Sequence, residues 1–129
     1  KLENIVLLDT GIIIDFFGGK KTASEVEIAL AESRAALSAI TIYELFNGVK
    51  NRDHIKQREQ LIKLCEIVKI DEQVARKASS LYTRLKLEGK LICHEDILIA
   101  ACALSRAYSL FTNNQKHFRN IPGLVFYYS

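Results

Sequence analysis

The residues best placed to do chemistry in this chain are acidic, and they follow or open its apolar stretches. Asp9 comes directly after NIVLL at 4–8. Glu44 lies just beyond the apolar run at 35–40. Asp96 immediately precedes the eight apolar residues ILIAACAL at 97–104, and Asn113 and Asn114 follow SLFT at 109–112. Like charges brought together by a fold are costly unless a cation neutralises them. Hard oxygen ligands select Mg²⁺ or Mn²⁺ over zinc. Such ions, held by carboxylates, serve phosphodiester hydrolysis, because they supply hydroxide near neutral pH and stabilise the attacking and leaving oxygens.

Each residue also has a plain structural role. Glu44 fits the third helical position of a capping box begun by Thr41. Asp96 suits a helix N-terminus and Asp9 a helix cap. Asn113 and Asn114 suit a turn. Singly these readings suffice; their coincidence at one place is what points to a site. Asp15 reads as surface. Glu95 points about 100° away from Asp96 on an ideal helix and supports the site at most indirectly. His54, His94 and His117 share no helical spacing and read as surface or loop residues, with His94 nearest the site.

Positioning these groups requires a particular order of elements. NIVLL is apolar without alternation, as a strand covered on both faces demands. Further strands are predicted at 35–40, 67–70, 109–112 and 124–128. Between them fall helices at 12–17, 24–33, 41–48, 53–66, 71–88 and from 95 onward. The helix at 24–33 opens on the capping-box pattern Ser24 to Glu27. Asp71 caps the next-to-last helix and Gly89 ends it. The segment 97–104 is apolar all round, so its helix should be the most buried. Strands alternating with helices imply right-handed crossovers and a parallel sheet. The expected fold is therefore α/β, a three-layer α/β/α arrangement whose five-stranded parallel sheet is flanked by helices. Such sheets work at the carboxyl ends of their strands, where Asp9, Glu44, Asp96 and the two asparagines are expected.

Composition sets the outer bounds. The 129 residues, 49% hydrophobic and 26% charged, fit a single domain over 1–129 that folds on its own core. The charge of +3 permits a nucleic-acid partner without requiring one. No apolar run approaches the roughly 18 residues of a membrane span, and no leader-like segment opens the chain. Cys65, Cys93 and Cys102 form no C-x-x-C pair and no zinc-ligand pattern, and they read as buried, reduced thiols of a cytoplasmic protein.

With these residues in view, the chain resembles a PIN domain, and within that family the VapC type of prokaryotic toxin ribonuclease. The resemblance is carried by LLDTGIIID at 7–15, TIYELFNGV at 41–49, HEDILIAACAL at 94–104 and FTNNQKHFRNIPGL at 111–124. It implies a Mg²⁺- or Mn²⁺-dependent endoribonuclease, the toxin of a type II toxin–antitoxin pair, which cleaves RNA, often structured RNA such as tRNA, and leaves 5′-phosphate and 3′-hydroxyl ends. It implies a VapB-type antitoxin partner and a homodimer, with the helices near 24–33 and 53–66 as contact candidates. Carried over by position, Asp9, Glu44 and Asp96 would be metal ligands. Asn114 would complete the catalytic set, with Thr112 and Thr10 behind it. Gly11 departs from the family's usual Asp-Thr-Asn or Asp-Ser opening. The amide of Asn114 leaves one charge fewer for a second metal.

Three rival readings have different signatures. Leu7 to Gly11 also matches the active-site run of a retroviral-type aspartic protease, but that fold is nearly all β and the helical periods at 71–88 and 95–107 contradict it. A receiver-like phosphorylation module needs paired acids after strand one, where this chain has Asp9 and Thr10. A PIN-fold module that binds RNA or a partner without cutting is the remaining alternative, and the presence of all three carboxylates argues against it.

Overall fold

The structure is a computed structural model describing residues 4–127. Its strands are β1 (Val6–Leu8), β2 (Ala35–Ser38), β3 (Glu66–Val68) and β4 (Ser109–Phe111). Its helices are α1 (Thr10–Phe17), α2 (Ala23–Ala31), α3 (Ala39–Phe46), α4 (Arg52–Lys63), α5 (Glu72–Leu87), α6 (His94–Arg106) and α7 (Gln115–Phe118). The four strands pair in parallel in the order β3-β2-β1-β4.

The unbroken apolar character of β1 has a direct structural cause. Successive side chains of a strand face opposite ways. Leu7 enters one core with Ala36, Leu110 and the inward faces of α5 and α6. Val6 and Leu8 enter the other with Ile12, Ile13, Val26 and Leu61. The sheet is therefore covered on both faces, as expected. In α5, Val74, Ala78, Leu81 and Leu85 are buried at 3.6-residue spacing, and in α6 Ile97 and the run Ile99 to Ala103 are buried. Asp71 caps α5 by accepting from the Val74 N–H at 2.9 Å. Gly89 follows at φ +68°, a conformation that side-chain-bearing residues adopt only at a cost.

The sheet has four strands, where five were expected. The segment after Pro122 and Gly123 does run parallel to β4, but its pairing reduces to a single bridge between Leu110 and Phe126. Two backbone hydrogen bonds join it to β4: the Leu110 N–H to the Val125 oxygen at 2.8 Å and the Tyr127 N–H to the Leu110 oxygen at 2.9 Å. Val125 is exposed, so this edge segment lacks the two-sided burial that extends a ladder. Tyr128, the end of the expected strand, lies outside the described residues.

Two expected capping boxes are also corrected. The strand predicted to reach residue 40 stops at Ser38, whose Oγ accepts from the Thr41 N–H at 3.1 Å and starts α3 early. Thr41 is thus inside the helix, fully buried, and is not its cap. At α2 the cap position is Thr22, without a side-chain bond, while Ser24 Oγ turns to Glu25 at 3.3 Å.

Candidate metal centre at the sheet edge

Asp9 ends β1 and caps α1. Its Oδ1 accepts from the Thr10 N–H at 2.8 Å, and its Oδ2 accepts from Thr112 Oγ1 at 2.7 Å. Thr112 directly follows β4, the strand paired with β1, and is buried. Adjacent parallel strands therefore present Asp9 and Thr112 to each other at their carboxyl ends. The Thr112 hydroxyl also accepts from the Asn114 N–H at 3.0 Å, which turns the chain into α7.

Glu44 reaches the same edge from α3. Because Ser38 does the capping, Glu44 is free to cross to α1, where Thr10 Oγ1 donates to its Oε1 at 2.5 Å. Thr10 Oγ1 also lies 3.2 Å from Thr41 Oγ1, which in turn meets Ser38 Oγ at 3.2 Å. A chain of hydroxyls thus links the end of β2 to the carboxylate of Glu44. Ser38 and Thr41 were not anticipated as support. The sequence signal was a serine ending an apolar run, three residues before a threonine.

Asp96 stands in the first turn of α6 and completes the acidic group. The electrostatics show the convergence. Burial raises the Asp9 carboxyl above its ordinary 3.8, opposed by the Thr112 hydrogen bond and reinforced by the charge of Asp96. Burial likewise raises Glu44 above 4.5, opposed by Thr10 and reinforced by Asp96, Asp9 and Glu95. The carboxylates of Asp9 after β1, Glu44 on α3 and Asp96 on α6 are therefore near enough to raise one another's charge cost. A site composed of mutually repelling oxygen donors is chemically suited to a hard divalent cation. That donor chemistry fits the ion that the sequence implied.

The remaining residues are placed less uniformly. Asn114 is exposed, and its tie to the site is its backbone N–H, which donates to Thr112 Oγ1. Asn113, its neighbour, donates from Nδ2 to Asp15 at 2.7 Å, so Asp15 is tied to the rim where a plain surface position was expected. A Cβ on Gly11 would sit 3.3 Å from Asn113 Oδ1, the end of an exposed side chain, so the space here is snug without demanding glycine. His94, expected nearest the site, stacks instead on Tyr82 with ring centroids 5.6 Å apart. The histidine at the site is His117 of α7, with Nε2 2.8 Å from Asp96 Oδ2. Nothing in local spacing could have shown this, since α6 and α7 meet only through the tertiary fold.

A parallel α/β sheet with this acidic edge defines a nuclease-like PIN architecture. The PIN domain family matches residues 6–124, and the chain belongs to that family. It is 34% identical to Ribonuclease VapC1 of Methanocaldococcus jannaschii over 98% of this chain and 90% of that protein. Among solved structures it is similar to DNA-bound VapBC from Salmonella typhimurium, at 28% identity and TM-score 0.85 over 97% of this chain and 98% of that one. It is also similar to a toxin–antitoxin complex from Klebsiella pneumoniae, at 28% identity and TM-score 0.75 over 96% and 98%. Among the described residues no helix is long and apolar enough to cross a membrane.

Proposed function

We propose that this chain is a metal-dependent endoribonuclease of the VapC type, the toxin component of a type II toxin–antitoxin pair. The reading is supported most by the hydrogen bonds that hold Asp9 through Thr112 and Glu44 through Thr10, with Asp96 in the first turn of α6. The ribonuclease name of its M. jannaschii relative supports the same chemistry. Asp9, Asp96 and Glu44 hold Mg²⁺ or Mn²⁺. When bound, the ion activates water and neutralises charge on the scissile phosphate. Thr112 fixes the rotamer of Asp9, and Thr10 fixes Glu44. Such hydrogen-bonded support of ligands governs both affinity and geometry. Asn114 lies at the mouth, where its exposed amide can meet RNA without adding negative charge.

An antitoxin of the VapB type would place a basic side chain against this acidic pocket. A mostly apolar groove, where Phe16, Phe17, Leu30, Leu61 and Leu64 are joined by Gln57 and Gln60, offers the rest of the antitoxin segment a seat. Homodimerisation is part of the same proposal, and light scattering of the isolated chain tests it. The function itself is tested by incubating the protein with total RNA in Mg²⁺, Mn²⁺ or EDTA and sequencing the ends. Metal-dependent cuts bearing 5′-phosphates are expected, with tRNA and other structured RNA as first targets. RNA left intact in both metals contradicts the reading and favours a non-cleaving RNA- or partner-binding module.

A further inference from the structure

One donor cluster is not explained by hard-metal chemistry. Cys93 caps α6, Asp96 stands three residues later on the same helix end, and His117 comes from α7. The Cys93 sulfur, an Asp96 oxygen and a His117 nitrogen all lie within 4.8 Å of one another. His117 Nε2 is already 2.8 Å from Asp96 Oδ2, and Cys93 stands at the cap position of the same helix end without a side-chain cap bond. Around a tetrahedral Zn²⁺ such donors stand about 3.4–3.6 Å apart. Donors within 4.8 Å already approach that spacing, and Cys93 is exposed, where a buried thiol was expected.

Thiolate and imidazole are poor partners for Mg²⁺ and good ones for Zn²⁺, which also outranks Mn²⁺ at mixed donor sites. Three protein donors leave a fourth position open, as in zinc sites that keep an exchangeable ligand. We propose that Cys93, Asp96 and His117 form a second site, overlapping the hard-metal centre at Asp96, for a borderline-soft divalent ion, Zn²⁺ foremost, and that its occupancy withdraws Asp96 from that centre. The binding half rests on these three side chains alone. The consequence for cleavage rests on the nuclease reading above.

The test uses the full chain, kept reduced, with Co²⁺ as a spectroscopic stand-in and Zn²⁺ as competitor. The wild type should show a sulfur-to-cobalt charge-transfer band that Zn²⁺ abolishes at one equivalent. Cys93→Ser should lose the band, and His117→Gln should retain it. Both should bind Zn²⁺ at least about tenfold more weakly, since losing a ligand costs no less than losing its support. Circular dichroism confirms that each variant is folded. Absence of the band from the wild type, or unchanged Zn²⁺ affinity in folded Cys93→Ser, overturns the site. In Mn²⁺-dependent cleavage, with each protein normalised to its own zinc-free rate, half-inhibition by Zn²⁺ should require at least about tenfold more zinc in Cys93→Ser. Equal inhibition of both proteins overturns the shared role of Asp96. A wild type that binds zinc through sulfur yet cuts no RNA upholds the site and removes the nuclease reading instead.

Discussion

Thr112→Val is the most informative single change, because it removes one hydroxyl and keeps the shape. The Thr112 Oγ1 bond to Asp9 Oδ2, at 2.7 Å, joins a buried donor to a carboxylate that burial already holds above its ordinary pKa. A hydrogen bond to a charged group is worth about 1.5–3 kcal/mol net. The Asn114 N–H also loses its acceptor, but that residue is exposed, so water replaces most of the contact. A loss of about 2 kcal/mol is therefore expected, which lowers Tm by about 6–10 °C for a domain of this size. The same bond lowers the Asp9 pKa, so removing it raises that pKa further. It also frees the carboxylate to leave its ligand orientation, which weakens Mn²⁺ binding by about 10–100-fold. Calorimetric titration with Mn²⁺ and a thermal melt read both effects, and Thr112→Ser should recover most of each. If Thr112→Val melts and binds Mn²⁺ like the wild type, the buried hydroxyl does not organise Asp9. If Thr112→Ser falls as far as Thr112→Val, packing and not the hydroxyl is responsible.

Other expectations follow from the same contacts. Ser38→Ala removes the cap of α3 and the start of the hydroxyl chain to Glu44, so a loss of about 1–2 kcal/mol should appear in a denaturant titration. Asp9 and Glu44 have folded-state pKa values raised above 3.8 and 4.5, so the metal-free folded state holds extra protons in the window that opens there and extends upward. Stability present below that window should fall as pH rises through it, and saturating Mn²⁺ or Glu44→Gln should flatten the profile of Tm against pH. Gly11→Ala adds some helix propensity in the first turn of α1, offset where the new Cβ crowds the Asn113 side chain that bonds Asp15. Its net change in unfolding free energy should stay below about 1 kcal/mol.

The legibility of the chain followed physical locality. β1 could be read because two-sided burial leaves an unbroken apolar run, and α5 because its buried face repeats every turn. Asp71 and Gly89 are local caps and behave as such. Thr41 and Glu44 have the spacing of a capping box, yet the fold uses Ser38 instead and releases Glu44 to Thr10, 34 positions away. A local motif cannot reveal which of two hydroxyls wins that competition. The fifth strand failed for a similar reason, since pairing depends on what covers the edge at Val125 and not on the sequence of the segment. The three carboxylates could be singled out because each borders an apolar segment. His117 could not, because its partner Asp96 is brought to it by the meeting of α6 and α7. The exposure of Cys93 is equally illegible, because its donor partners sit on two helices and leave no compact motif.

The central claim is that Asp9, Glu44 and Asp96 hold the ion that cuts RNA. Single-turnover cleavage of one defined RNA in Mn²⁺, by the wild type and by Asp9→Asn and Asp96→Asn, tests it most directly. The wild type should cut and leave 5′-phosphate ends, while both variants, folded by circular dichroism, should fall to the rate seen in EDTA. Undiminished cutting by both variants contradicts the account.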